Sequence, residues 1–179
     1  MRKEDLSSSI LNRMTLQDYS PTRQIDGVRL IPLNLHVDDG GDFQEIARVK
    51  EGVIHEIDDF MIRQINRSRF NPGLVKAFHL HLKQDEIWVV HPLDRLLVGL
   101  MDVRKGSRTE GIQMRIVLGG GDSRVLYIPK GVAHGGTVLG QDPVDVFYLV
   151  DQNFSEEDPD EWRLPWNLLG GDFWTISKQ

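Results

Sequence analysis

The segment Val75-Lys-Ala-Phe-His-Leu-His-Leu-Lys83 alternates polar and apolar side chains. On an extended strand this places His79, His81 and Lys83 on one face and Phe78, Leu80 and Leu82 on the other. The two imidazoles then stand about 6.5 Å apart, twice the rise of about 3.3 Å per residue. Four residues separate His81 from Glu86, and Pro129-Lys-Gly-Val-Ala-His134 sets a third histidine just after a Pro/Gly turn. Two kinds of chemistry are open to this set. His79, His81, Glu86 and His134 together form a donor set suited to Zn²⁺, Fe²⁺, Mn²⁺ or Ni²⁺. A metal-free imidazole is instead a general base near neutral pH. The two uses exclude each other at one nitrogen, because a nitrogen bound to a cation cannot take a proton. Tyr148 lies inside the apolar run Val144 to Val150, where a buried tyrosine with a satisfied hydroxyl is common.

The elements that must position these groups are short β-type runs broken by turn clusters at Asp38-Asp-Gly-Gly-Asp, Asn71-Pro-Gly, Arg104-Lys-Gly-Ser and Gly119-Gly-Gly-Asp. Strands are expected over Leu33 to Val37, Phe60 to Asn66, Leu74 to Leu82, Glu86 to Val90, Leu96 to Val103, Gln113 to Leu118, Arg124 to Ile128 and Val144 to Val150. About eight strands with no long helical pattern between them predict an all-β jelly roll or small barrel. Leu6, Ile10, Leu11 and Met14 recur at helical spacing, so a short N-terminal helix is expected to stop near Pro21. The glycine run at 119–121 reads as a hairpin turn, since no Lys-Ser/Thr pair follows it to make a phosphate loop. Beyond Ser155 the chain is acidic and then aromatic (Trp162, Trp166, Phe173, Trp174), which reads as a solvated loop, a short helix and an arm that packs back.

A length of 179 residues suits one domain. We divide it into a lead-in over 1–25, a jelly roll over 26–152 and a C-terminal arm over 153–179. Its 21 Lys and Arg against 27 Asp and Glu give a net charge of −6, which disfavours nucleic-acid binding through phosphate neutralisation. The absence of cysteine rules out disulfides, thiol nucleophiles and Cys-based metal sites. The charged start Met1-Arg-Lys-Glu-Asp leads into no apolar stretch of signal or membrane length. A cytoplasmic protein is therefore expected.

His-x-His-x4-Glu followed by Pro-x-Gly-x-x-His resembles the two-part signature of cupin barrels. Further blocks resemble the dTDP-4-dehydrorhamnose 3,5-epimerase family, whose cupin members act on nucleotide-linked 4-keto sugars. These blocks are Gly41-Asp-Phe-Gln-Glu45, Gln64-x-Asn66-x-Ser68 with Gly73 and Lys76-Ala-Phe-His79, Asp102 to Gly111, Tyr148 six residues before Phe154, and Trp166-Asn167. The resemblance covers roughly residues 28 to 175. It implies a cupin jelly roll, an isomerase that removes a proton next to a ketone, His79 as general base and Tyr148 as general acid. It further implies that Gln64, Asn66 and Lys76 hold the nucleotide part, that His134 lies at the substrate, and that Phe43 and Glu45 sit near its entrance. No cofactor is required in that reading.

The chain departs from the family pattern at several positions. Gly40 and Lys76 stand where the family has arginines, His81 where it has Gln, and Asp85 or Glu86 where it has the lysine that stabilises the enolate. Lys83 is the nearest substitute in sequence. The acid that orients the base near the family's C-terminus has no aligned counterpart. These losses coincide with the gain of His81 and Glu86, so a divalent metal held by His79, His81, Glu86 and His134 is an alternative electrophile. A metal-dependent isomerase or dioxygenase, and a non-catalytic sugar-binding cupin, are therefore the alternative functions. Apolar residues on both faces of the β runs, with too few helices to cover the outer set, predict a homodimer, as the family resemblance also implies.

Overall fold

β-branched and aromatic residues favour pleated, half-buried surfaces, and runs of them build this molecule. The computed structural model describes every residue except 18, 20, 21, 58 and 177–179. Fourteen strands occur among the described residues: β1 (Arg29–Pro32), β2 (Leu35–Asp38), β3 (Gly41–Gln44), β4 (Val53–Ile54), β5 (Phe60–Met61), β6 (Gln64–Phe70), β7 (Val75–Leu80), β8 (Glu86–Val90), β9 (Arg95–Asp102), β10 (Gln113–Gly119), β11 (Arg124–Ile128), β12 (Val132–Val138), β13 (Val144–Val150) and β14 (Trp162–Arg163). Two five-stranded sheets, ordered β1-β11-β8-β13-β6 and β10-β9-β12-β7-β14, face each other. Every strand pair in them is antiparallel. This is the all-β jelly roll expected from the sequence, with two small hairpins, β2–β3 and β4–β5, beside it.

Between the sheets lies a core that includes Trp88 and Val90 of β8, Val98 and Leu100 of β9, Leu126 and Ile128 of β11, and Val146 of β13. Alternate residues of the same strands face outward and are covered by the chain itself. Ile87, Val89, Val125 and Tyr127 pack under Ile54, Ile57 and Phe60. On the other sheet, Phe78, Leu97 and Ala133 pack under Trp174 of the tail. The Phe78 and Trp174 rings lie 5.3 Å apart. The outer faces that the sequence assigned to a partner are thus largely closed within one chain, although Leu82 remains 56% exposed.

Several sequence expectations need correction. The N-terminal helix shrinks to single turns at Lys3–Asp5 and Ser8–Leu11, neither of which buries a residue. So short a helix without packing has little to hold it. Its expected stop at Pro21 lies outside the described residues. The 119–122 turn is not a hairpin: it carries the chain from β10 in one sheet to β11 in the other. The strand expected from Leu74 to Leu82 is shorter at both ends, so His81 sits just past the end of β7.

β12 escaped the periodicity reading because all seven of its residues are buried and Gly135-Gly136 interrupts any alternation. Close approach explains the glycine: a Cβ on Gly135 would lie 2.3 Å from Cβ of Ala77 in β7. At this point the pairing shifts register, from His134 opposite His79 to Gly136 opposite Lys76. A bulge of this kind re-aims side chains, and Lys76 and His79 consequently line the same cavity where strict alternation would have separated them.

Candidate active site

A cavity of about 340 Å³ opens between the two sheets. β6 contributes Gln64, Asn66 and Ser68; β7 contributes Lys76 and His79; β8 contributes Glu86 and Trp88; β12 contributes His134; β13 contributes Tyr148. His81 and Lys83 enter from the loop after β7, and residues 152–161 of the tail cross one side. Eight of the residues singled out in sequence therefore meet here: His79, His81, Glu86, His134, Tyr148, Gln64, Asn66 and Lys76. Phe43 and Glu45 do not. Phe43 is 67% exposed on β3, stacked near His36, and Glu45 pairs with Arg48 at 3.0 Å.

His79 is held from both ring nitrogens. An Arg163 Nη1–H donates to its Nε2 at 2.7 Å, and Glu161 Oε1 lies 3.3 Å from its Nδ1. Guanidinium has donors only, so Nε2 must carry the lone pair and Nδ1 the hydrogen. Burial lowers the His79 pKa from 6.5 to about 3, and nearby His134, Arg163 and His81 push the same way against Glu86. The imidazole is therefore neutral across the ordinary pH range.

Glu86 lies at the bottom of the cavity, 3% exposed. It accepts N–H from Trp88 Nε1 at 2.6 Å and from Gln84 Nε2 at 2.8 Å. Nε2 of His81 lies 3.1 Å from its Oε1 and Nε2 of His134 lies 3.3 Å from its Oε2. Each imidazole turns its Nδ1 to a backbone carbonyl, that of Asp160 for His81 and that of Val132 for His134. Burial by itself would raise the Glu86 pKa, but His134 and His81 outweigh it and hold the carboxyl well below its usual range. For His81 burial opposes the charge, yet the Glu86 carboxylate and the Asp160 carbonyl keep its pKa raised.

The ligand atoms of His81, Glu86 and His134 lie within 4.8 Å of one another, and His79 is outside that group. Of the three-histidine, one-carboxylate set considered from sequence, His81, Glu86 and His134 are the three close enough to share an ion, while His79 contacts Arg163 and Glu161. The remaining three residues are occupied with each other around a carboxylate that already receives Trp88 and Gln84. These contacts form a closed hydrogen-bonded cluster.

Tyr148 is half-buried, and burial followed by the charges of Glu86 and Glu161 raises its pKa above 10. It stays a neutral phenol, and its hydroxyl has no hydrogen-bond partner among the described residues. On the neighbouring strand Gln64 Nε2 donates to Asn66 Oδ1 at 2.7 Å, and Gln64 Oε1 accepts the Phe154 amide at 2.9 Å. Lys76 Nζ donates to Ser68 Oγ and lies 4.8 Å from the Phe70 ring centroid. Lys83, the sequence substitute for a cation at the substrate, pairs instead with Asp158 at the rim.

Sequence reasoning missed Glu161 and Arg163, which it placed in a solvated acidic run and its continuation. Their period-two spacing around Trp162 is the one signal that could have found them, since a two-residue strand there pairs Arg163 with His79 and Trp162 with Leu80. Asp160 anchors that strand by accepting the amides of Leu82, Lys83 and Gln84 at 2.7–3.1 Å.

Comparison with known proteins identifies the family. The sequence profile of dTDP-4-dehydrorhamnose 3,5-epimerase matches residues 22–169. The spore coat polysaccharide biosynthesis protein SpsL of Bacillus subtilis (strain 168) is 38% identical over 143 residues, 80% of this chain and 91% of that protein. The probable low-salt glycan biosynthesis epimerase Agl13 of Haloferax volcanii is 32% identical over 143 residues, 80% and 89% of the two chains. Among solved structures, the dTDP-6-deoxy-D-glucose-3,5-epimerase RmlC of Legionella pneumophila Philadelphia 1, in complex with dTDP-4-keto-L-rhamnose, aligns with a TM-score of 0.67 at 28% identity, covering 80% of this chain and 75% of that one. A jelly roll of this topology, matched in sequence over most of its length, makes this chain a member of the dTDP-4-dehydrorhamnose 3,5-epimerase family, a sugar-nucleotide epimerase of the isomerase class.

Proposed function

We propose that the enzyme epimerises a dTDP-linked 4-keto sugar by removing a proton from a carbon next to the ketone, with His79 as general base and Tyr148 as general acid. The observation that carries this reading is the protonation pattern of the cavity. A neutral imidazole keeps a lone pair on Nε2, with a carboxylate at its other nitrogen, while a neutral phenol lines the same cavity from another strand. One group can take a proton, the other can give one, and Glu161 can stabilise the imidazolium that forms. Only protons move, so the reaction needs no resident cofactor.

Gln64, Asn66 and Lys76 form the polar wall we assign to the nucleotide diphosphate, and His134 the floor beneath the sugar. Exposed Val37 and Phe43 on the β2–β3 hairpin support a homodimer in which a second copy's hairpin brings Phe43 and Glu45 to the entrance. We read residues 1–179 as one cupin domain working in the cytoplasm; among the described residues no helix is long and apolar enough to cross a membrane. The test is solvent-deuterium incorporation next to the ketone of a dTDP-linked 4-keto-6-deoxyhexose. His79→Ala should slow exchange by roughly 10²–10⁴-fold, and Tyr148→Phe should slow completed epimerisation more than exchange. A wild-type enzyme that incorporates no deuterium contradicts the reading.

A further inference from the structure

Removing a proton next to a ketone is feasible only when the developing enolate oxygen meets a fixed donor or cation. The cations that line the cavity are already engaged: Lys76 sits on Ser68 and over Phe70, and Lys83 on Asp158. Arg163 is placed differently. Its backbone is fixed opposite His79 in the β14–β7 pairing, and the flanking Leu164 exchanges hydrogen bonds with Phe78 at 2.9 and 3.1 Å. Asp160 pins the turn three residues before it. The side chain is 60% exposed, steadied by Glu161, and its Nη1–H points at the lone pair of His79 Nε2, 2.7 Å away.

An imidazole nitrogen has one in-plane lone pair. While Arg163 donates to it, His79 cannot accept a proton from carbon. The ketone oxygen of a substrate whose C–H approaches Nε2 lies only three bonds from that hydrogen, within reach of the guanidinium that sits 2.7 Å from the same nitrogen.

Resting on the epimerase reading above, we propose that Arg163 is the catalytic electrophile of this enzyme. Its guanidinium passes from His79 Nε2 to the ketone oxygen, freeing the base in the same movement that polarises the carbonyl. The C–H bond next to the ketone then breaks and its proton goes to Nε2 of neutral His79. The electron pair of that bond becomes the C=C bond of the enolate, and the carbonyl π pair moves to the oxygen held by Arg163. When the pair returns, a new C–H bond forms on the opposite face with the Tyr148 hydroxyl proton. Water returns a proton to Tyr148 and removes one from His79, so the cycle closes without a co-reactant. Arg163 takes the place of the lysine that the family pattern has and this chain lacks, from a different element of the fold.

The experiment follows deuterium incorporation from D₂O into a dTDP-linked 4-keto-6-deoxyhexose by wild type, Arg163→Ala and Arg163→Lys, with added guanidinium ion as a rescue arm. Because the side chain is largely exposed, Arg163→Ala should keep the wild-type unfolding midpoint; Arg163→Lys retains the charge should it not. The expected result is a 10²–10³-fold fall in kcat for exchange in Arg163→Ala, a smaller change in KM, partial recovery with guanidinium ion, and intermediate activity in Arg163→Lys. Exchange by Arg163→Ala within a few-fold of wild type, or a loss confined to KM, overturns the assignment and leaves the epimerase reading standing. Failure of wild type itself to exchange overturns both.

Discussion

At the scale of single residues, the cavity separates its titratable groups by environment. His79 is kept neutral mainly by burial, whereas at His81, set about as deeply, the Glu86 carboxylate and the Asp160 carbonyl outweigh burial and raise the pKa. The consequence for stability has a definite sign. The folded-state pKa of His79 is depressed from 6.5 to about 3, so below about pH 6.5 the unfolded chain binds a proton there that the native state refuses. The stability contributed by a neutral His79 is therefore present above that pH and declines as pH falls towards 3, by at most about 1.4 kcal/mol per pH unit. The raised pKa of His81 acts in the opposite sense, its contribution being complete below pH 6.5 and lost as pH rises through the folded value. Comparing wild type with His79→Asn, which cannot charge, isolates the first effect. Urea unfolding at pH 7 and pH 5 should show wild type losing about 1–2 kcal/mol relative to the variant. An unchanged difference between the two pH values would show that His79 is not held neutral.

At the scale of elements, β12 and β7 must touch backbone to backbone if their histidines are to face one another, and Gly135 makes that contact possible. Gly135→Ala should cost about 1–3 kcal/mol, as overpacking does, and should lower exchange activity by displacing His134 from His79. Gly140→Ala, whose added Cβ would find nothing closer than 4.0 Å, should stay within about 0.5 kcal/mol of wild type. Denaturant unfolding of both variants checks the pair. These elements also show what sequence can and cannot reveal. β8, β11 and β13 fall on the runs Glu86 to Val90, Arg124 to Ile128 and Val144 to Val150, because apolar residues bounded by turn signals have few other ways to be buried. The histidine face of β7 was legible for the same reason. β12 was not, since complete burial and two glycines erase its period. Glu161 and Arg163 were not either, because exposed charges in a tail look alike until a partner 84 residues away gives one of them a role.

At the scale of the whole molecule, the chain covers most of its own outer faces with the 54–61 segment and the aromatic tail. Among the apolar side chains that stay exposed, Val37 is 76% and Phe43 67% exposed on the β2–β3 hairpin, and Ile65 is 63% and Phe147 47% exposed on the β6–β13 side of the barrel. We propose that these two exposed pairs belong to the homodimer interface, where a partner would cover them. Light scattering at micromolar concentration should therefore give the mass of two 20.5 kDa chains. Replacing Phe43 with Lys should shift the mass towards one chain. A wild-type monomer at that concentration would contradict the homodimer.

The two-residue strand that brings Arg163 opposite His79 has a thermal consequence of its own. β14 is exposed and is the edge strand of its sheet, whereas β8 and β11 lie in the interior of theirs and are almost wholly buried. Segments with few buried contacts open at lower free energy than the core they lie on. On warming, the enzyme should therefore fall silent while its barrel is still intact, and on cooling activity should return without refolding. Catalysis in this molecule should therefore melt at a lower temperature than the protein does.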